Sequence, residues 1–167
     1  MSGLESHRLA GAFVANTLER LSALIIEQGE PLLQDAGVDF PPRAVSIVLL
    51  LGEGEPLSTA DIAKALSQPH QLVSQRVDLL IELGIVFRND DADDARRKML
   101  RLTSRGRVQF RRLVPRLELA DAAFRALYDE AGADLMAATL SAIAALQRSP
   151  LLARIQALSP STSEGAP

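Results

Sequence analysis

The chain has 167 residues, 47% of them hydrophobic, which is ample for the core of one domain or two small lobes. It has no cysteine, which excludes disulfides, thiol redox sensing and cysteine-held zinc, and its two histidines, His7 and His70, are too far apart in sequence to begin a metal centre. A net charge of −3 argues against indiscriminate nucleic-acid binding, so any such role has to come from how the charge is distributed.

The segment Met1 to His7 lacks a signal pattern, and the longest apolar run, near Ala44 to Leu51, is too short to span a bilayer. The expectation is a cytoplasmic chain with no membrane partner. Leu4 to Gly29 reads as one long helix, because Phe13, Val14, Leu18, Leu21, Leu24 and Ile25 recur at spacings of three and four. Gly29 and Pro31 are expected to end it, with Leu32 to Ala36 adding a further turn. The Pro41-Pro42 pair then opens a buried helix that runs to Leu51 and is stopped by Gly52 and Gly54.

From Ser58 to Gly106 the elements follow one another with little slack. Ser58 stands three residues before Asp61, so it can cap a helix running to Leu66. Ile62, Ala63 and Leu66 form the buried stripe of that helix, and a tight turn at Ser67 to Pro69 follows it. The next helix, His70 to Leu83, buries Val73, Val77 and Leu80 and turns Gln71, Ser74, Gln75 and Asp78 outward. Gly84 stops it; Ile85 to Arg88 and Met99 to Leu102 alternate as the strands of a half-buried hairpin, with Asn89 to Asp94 as its turn and Pro56-Leu57 as a very short third strand. Two helices joined by a three-residue turn, with a basic hairpin beside them, are the arrangement that offers a helix to the DNA major groove and a hairpin to the next groove.

Ser104 starts a long helix with Phe110, Val114, Leu117, Phe124 and Leu127 as its stripe, bent at Pro115. After Gly132 a helix runs from Asp134 to Gln147, then a short one from Leu151 to Leu158, and Ser159 to Pro167 is left as an unstructured tail. Nine of the eighteen Lys and Arg residues lie between Arg96 and Arg116, where no acid occurs. Such a block marks an approach of phosphates or, for Arg107 to Arg116, the solvated face of a helix.

These residues resemble the MarR-like (multiple antibiotic resistance regulator) family of winged helix-turn-helix transcription factors. The pattern is Asp94-Ala95-Arg96 followed by Leu102, Thr103 and Gly106, together with Asp61-Ile62-Ala63, Val73-Ser74, Val77-Asp78, Leu80 and Gly84-Ile85-Val86. It covers about residues 44–113. Two positions depart from the family habit, Ala95 and Gln75, where the family often has arginine and a basic residue. The resemblance implies a mainly α (α+β) fold: a winged helix-turn-helix core with a small β-hairpin wing, flanked by N- and C-terminal dimerisation helices. The expected layout is dimerisation helices at 1–36, the DNA-binding lobe at 37–106, further dimerisation helices at 107–158 and the tail at 159–167.

It further implies a homodimer on a palindromic operator in double-stranded DNA, with Arg96 in the minor groove oriented by Asp94, and release by small ligands that are often aromatic or phenolic. From the residues themselves, Gln71, Ser74 and Gln75 are candidates for reading base edges, and His70 for a phosphate. Arg76 sits on the flank of the buried stripe, where a phosphate contact or an intramolecular ion pair is as good a reading as base readout. Arg97 and Lys98 complete the basic hairpin. Phe13, Phe40 and Tyr128 are candidates to line a ligand pocket, though such residues are more often plain core. No glycine-rich phosphate loop, cysteine nucleophile or G-x-S-x-G turn is present, so neither an enzyme nor a cofactor is expected. The competing reading is a winged-helix module that binds protein rather than specific DNA, since a fold alone does not fix a function.

Overall fold

A computed structural model describes residues 6–90 and 98–158. Among these the chain forms seven α-helices and one two-stranded antiparallel sheet. The elements are α1 (Val14–Asp35), α2 (Val45–Glu53), α3 (Thr59–Ala65), α4 (His70–Glu82), β1 (Val86–Asp90), β2 (Lys98–Leu102), α5 (Ser104–Ala131), α6 (Leu135–Arg148) and α7 (Leu151–Leu158). The chain divides within α5 into two compact units, Met1–Glu118 and Leu119–Pro167.

The first helix differs from the sequence expectation at both ends. Ala10–Phe13 is a tight 3-10 turn and α1 proper begins at Val14. The preceding N–H groups are used in short-range bonds, Ala10 to the His7 carbonyl and Ala12 to the Leu9 carbonyl, so among the described residues before Val14 no regular α-helix propagates. At the other end α1 continues through Gly29 and Pro31 to Asp35. A proline inside a helix costs about 3 kcal/mol through its missing N–H and ring crowding. Here the last turn carries Leu33 into the core beside Val38 and Phe40, and tertiary burial outweighs local preference.

The core of the first unit is built by Ile47, Val48 and Leu51 of α2, Ile62 of α3, Val73, Val77 and Leu80 of α4, the strand residues Val86, Leu100 and Leu102, and Leu113 of α5. Ser58 and Asp61 form a reciprocal capping box: the Asp61 N–H donates to Ser58 Oγ at 3.2 Å and the Ser58 N–H to Asp61 Oδ2 at 3.0 Å. The hairpin pairs Val86 with Leu102 and Asp90 with Lys98. Leu57 adds the expected third strand as a single bridge, its carbonyl accepting from the Leu100 N–H at 2.9 Å.

Where α4, the hairpin and α5 meet, the Thr103–Gly106 motif acts structurally. Gly84 takes φ +68° to end α4, and the Ile85 N–H returns to the Leu80 carbonyl. The Thr103 hydroxyl donates to the Gly84 carbonyl at 2.7 Å and accepts from the Gly106 N–H at 2.9 Å, so one side chain ties the end of α4 to the start of α5. A Cβ on Gly106 would lie 2.1 Å from the Ile85 carbonyl oxygen.

In the second unit Asp134 caps α6 by accepting from the Ala137 N–H at 2.9 Å. Its apolar residues Met136, Leu140, Ile143, Leu152 and Ile155 are all at least 48% exposed, so this unit offers an uncovered apolar face. Among the described residues no single helix is long and apolar enough to cross a membrane.

The glycines of α1 and α5 make opposite predictions. Alanine at Gly106 meets backbone that cannot move aside and should destabilise by about 3 kcal/mol or more. Alanine at Gly29, whose added Cβ meets Pro42 at an ordinary 3.6 Å, should stabilise by about 0.5–1 kcal/mol through helix propensity. Denaturant midpoints at constant slope check both signs; equal midpoints for the two variants would contradict the close approach.

Candidate nucleic-acid interface

The helix-turn-helix is set by three local devices. The capping box starts α3, and α3 ends in a turn where the Gln68 N–H reaches the Ala63 carbonyl at 3.0 Å and the Ser67 N–H reaches the Lys64 carbonyl at 3.1 Å. Ser67 adopts φ +51°, a left-handed conformation usually left to glycine or asparagine. Pro69 at φ −57° then leads into α4.

Val73, Val77 and Leu80 fix the rotation of α4, all three fully buried. His70, Gln71, Gln75 and Asp78 are consequently exposed, while Ser74 is half-buried. The two flanks of α4 differ. On one, Asp78 receives Arg88 of β1 at 2.5 Å, which ties α4 to the hairpin. Sequence patterning places Arg88 merely on a strand; its register and the outward position of Asp78 were the available signals.

Along the other flank runs an open groove of about 450 Å³, whose walls include Leu72, Gln75, Arg76 and Leu79 of α4, Glu30 of α1, and Arg43. Arg76 is half-buried there and donates to Gln68 Oε1 at 2.8 Å. Burial first, and then the neighbouring charge of Arg43, lower its pKa from the ordinary guanidinium value. Its intramolecular partner is thus an amide rather than a carboxylate.

The hairpin residues are reached only in part. Lys98 opens β2, is exposed and pairs with Asp90 across the strands. Asp94, Arg96 and Arg97 lie outside the described residues. The basic run on α5 departs from a uniform phosphate-facing block. Arg105, Gln109, Arg112 and Arg116 recur at spacings of four, three and four, and so share one face. That face meets the end of α1 and the linker after it: Arg105 pairs with Asp39 at 2.9 Å, Arg112 donates to the Gly37 carbonyl at 2.9 Å, and Arg116 pairs with Asp35 at 2.7 Å.

Gln109, buried and unremarked by sequence reasoning, closes the set by accepting from the Asp39 N–H and donating to its carboxylate, each at 2.9 Å. Asp35 at the end of α1 and Asp39 in the otherwise apolar linker after it were the signal for this face. Arg107 and Arg111 are exposed and form no ion pair with a described residue. Of the aromatic residues considered as pocket walls, Phe40 is plain core, Phe13 is 37% exposed, and Tyr128 stacks near Phe124.

Residues 38–97 match the model of the MarR family. No curated protein matches the sequence. The fold is similar to that of the transcriptional repressor CouR, solved bound to a 23-mer DNA duplex, with 22% identity and a TM-score of 0.65 over 86% of this chain and 99% of that one. It is also similar to the PcaV transcriptional regulator of Streptomyces coelicolor, solved with its natural ligand, at 20% identity and a TM-score of 0.59 over 89% and 97% of the two chains. The transcriptional regulator BldR of Sulfolobus solfataricus gives 18% identity and a TM-score of 0.59 over 89% and 99%. The segment that matches the MarR family model holds α2, α3, α4 and β1, and the fold is similar to that of these regulators across nearly their whole length.

Proposed function

We propose that the protein is a sequence-specific double-stranded DNA-binding transcriptional regulator, acting in the cytoplasm as a homodimer on a palindromic operator and released by a small ligand. The observation that carries this reading is α4 itself: three buried aliphatic residues fix its rotation, so that Gln71 and Gln75 stand exposed with neutral, hydrogen-bonding side chains. Glutamine suits adenine in the major groove. The DNA-bound state of CouR supports the same use of the fold. Arg96 and Arg97, with Lys98, supply the hairpin with charge for an adjacent groove, and Asp94 orients Arg96.

Dimerisation follows from unburied apolar surface. Val14, Leu18, Leu24 and Ile25 of α1 are 41–59% exposed, and α6 and α7 carry their own apolar face. Exposed apolar helix faces of this kind mark association sites, and a two-fold pairing covers each with one repeated contact. Release by a ligand is supported by the ligand-bound state of PcaV and by the small aromatic or phenolic effectors that the family resemblance implies. A mobility-shift series at fixed salt, with DNA flanking the protein's own gene against a scrambled competitor, tests the core of the proposal. Equal affinity for both duplexes would favour the protein-binding module instead.

Three outcomes are expected. Light scattering of the full chain should give the mass of a dimer, and deletion of residues 1–29 should give aggregated or unfolded protein; a well-folded monomer of the full chain would contradict the pairing. Footprinting should show an inverted repeat whose half-sites lie about 10 bp apart or a multiple of it. Arg96→Ala should weaken every operator by about 1–3 kcal/mol and reduce the salt slope by about one unit, whereas Gln75→Ala should leave that slope nearly unchanged and relax preference at one or two base pairs per half-site. Binding isotherms across a salt series separate the two, and an Arg96→Ala isotherm identical to wild type would remove the wing from the interface.

A further inference from the structure

A major groove about 12 Å wide admits a helix whose diameter with side chains is about 10–12 Å, so a seated helix has a phosphate ridge along each flank. At about 100° per residue, Gln71 and Gln75 lie opposite the buried Val73–Val77–Leu80 stripe, Ser74 and Asp78 fall on one side, and Leu72, Arg76 and Leu79 on the other. Cations occur on both sides. We infer that three arginines bracket α4, Arg88 on the hairpin flank and Arg43 with Arg76 on the opposite flank, and that each flank takes a backbone phosphate of the strand bordering the major groove. This rests on the DNA-binding reading above and assigns contacts to Arg43 and Arg88, which neither composition nor motif singles out.

Two of the three guanidinium groups are already positioned by the helix-turn-helix. Arg88 is held by Asp78 at 2.5 Å and Arg76 by Gln68 Oε1 at 2.8 Å, so part of their side-chain freedom is lost before DNA arrives. Arg43 is exposed on the 3-10 turn Pro42–Ala44, whose start is stiffened by Pro41 and Pro42. It lines the same groove as Arg76 and adds to the lowering of that guanidinium's pKa, so the two positive charges act on one site. Glu30 also lines the groove, yet neither arginine forms an ion pair with it or with any other described residue.

Arg105, Arg112 and Arg116 of α5 are turned to Asp39, the Gly37 carbonyl and Asp35, whereas Arg43 and Arg76 have no carboxylate partner among the described residues. Asp78 would repel a phosphate if it stood alone beside the reading face; paired, it aims a cation there instead.

The test is fluorescence anisotropy of the full-length protein on two duplexes, one from the flank of its own gene and one scrambled, at salt from about 50 to 200 mM. Arg43→Gln and Arg88→Gln should each lower the slope of log affinity against log salt by about 0.9, so that each variant loses about three- to fourfold less affinity than wild type over that range. The ratio between the two duplexes should not change. Arg43→Lys should restore the slope if Arg43→Gln lowers it, which separates charge from folding, and Arg125→Gln, on a residue paired with Asp121, should match wild type.

The double variant Asp78→Asn with Arg88→Gln should keep the reduced slope. Recovery of the wild-type slope in that double variant would mean that Arg88 serves only to neutralise Asp78, and would overturn the bracket. So would wild-type slopes in Arg43→Gln and Arg88→Gln. An Arg43→Gln protein that binds both duplexes as wild type does, but no longer releases them on addition of benzoate, would make the groove a small-anion site and overturn the phosphate assignment. Failure of wild type to prefer its own flanking duplex would sink sequence-specific regulation while leaving the slopes readable on both duplexes, so the two readings fail separately.

Discussion

The contact between Gly106 and the Ile85 carbonyl is the constraint on which the lobe depends. It brings the first turn of α5 against the backbone that leaves α4, at a separation where no side chain fits. Thr103 holds that position, its N–H on the Ile85 carbonyl at 3.0 Å and its hydroxyl on the Gly84 carbonyl. The end of α4, the return strand of the hairpin and the start of the long helix are thereby joined at one point. Any tilt of α4 relative to the hairpin has to break a backbone hydrogen bond or force a steric overlap. The Asp78–Arg88 pair is a second, weaker tie between the same two elements; exposed as it is, it adds little stability and mainly sets direction.

The turn between α3 and α4 shows the opposite economy. Ser67 sits at φ +51°, where a β-carbon is disfavoured by about 1–2 kcal/mol. The hydrogen bonds from Ser67 and Gln68 back to Lys64 and Ala63 hold it there, and Gln68 in turn holds Arg76. The turn thus fixes both the angle between the two helices and the aim of one cation on the flank of α4.

Most of the lobe could be read from residue order, because its determinants are local: Ser58 with Asp61, the Val73–Val77–Leu80 period, and the alternation of Leu100 and Leu102. What escaped was set by contacts distant in sequence. Pro31 signals a helix end unless Leu33 is known to reach the core of residues 38–113. The α5 arginines look like a solvated or phosphate-facing block until Asp35 at the end of α1 and Asp39 in the linker are seen to pair with them. Arg88 and Asp78 are ten residues apart, and only the strand register of the one with the outward position of the other signals that they meet.

How a chain of net charge −3 could approach DNA is a question of where its cations are held, not of how many it has. On α5 the arginines at 105, 112 and 116 are satisfied at short range by the end of α1 and the linker after it. Those beside α4 differ among themselves: Arg88 is paired with Asp78 much as Arg105 is with Asp39, whereas Arg76 has an amide partner and Arg43 has no ion-pair partner among the described residues. Positive charge without a carboxylate partner therefore lies on the Arg43–Arg76 flank of α4 and a paired cation on the other, with the neutral Gln71 and Gln75 exposed between them. Such a division favours a backbone that arrives from two sides over a flat anionic surface, because a flat surface cannot reach both flanks of a helix at once.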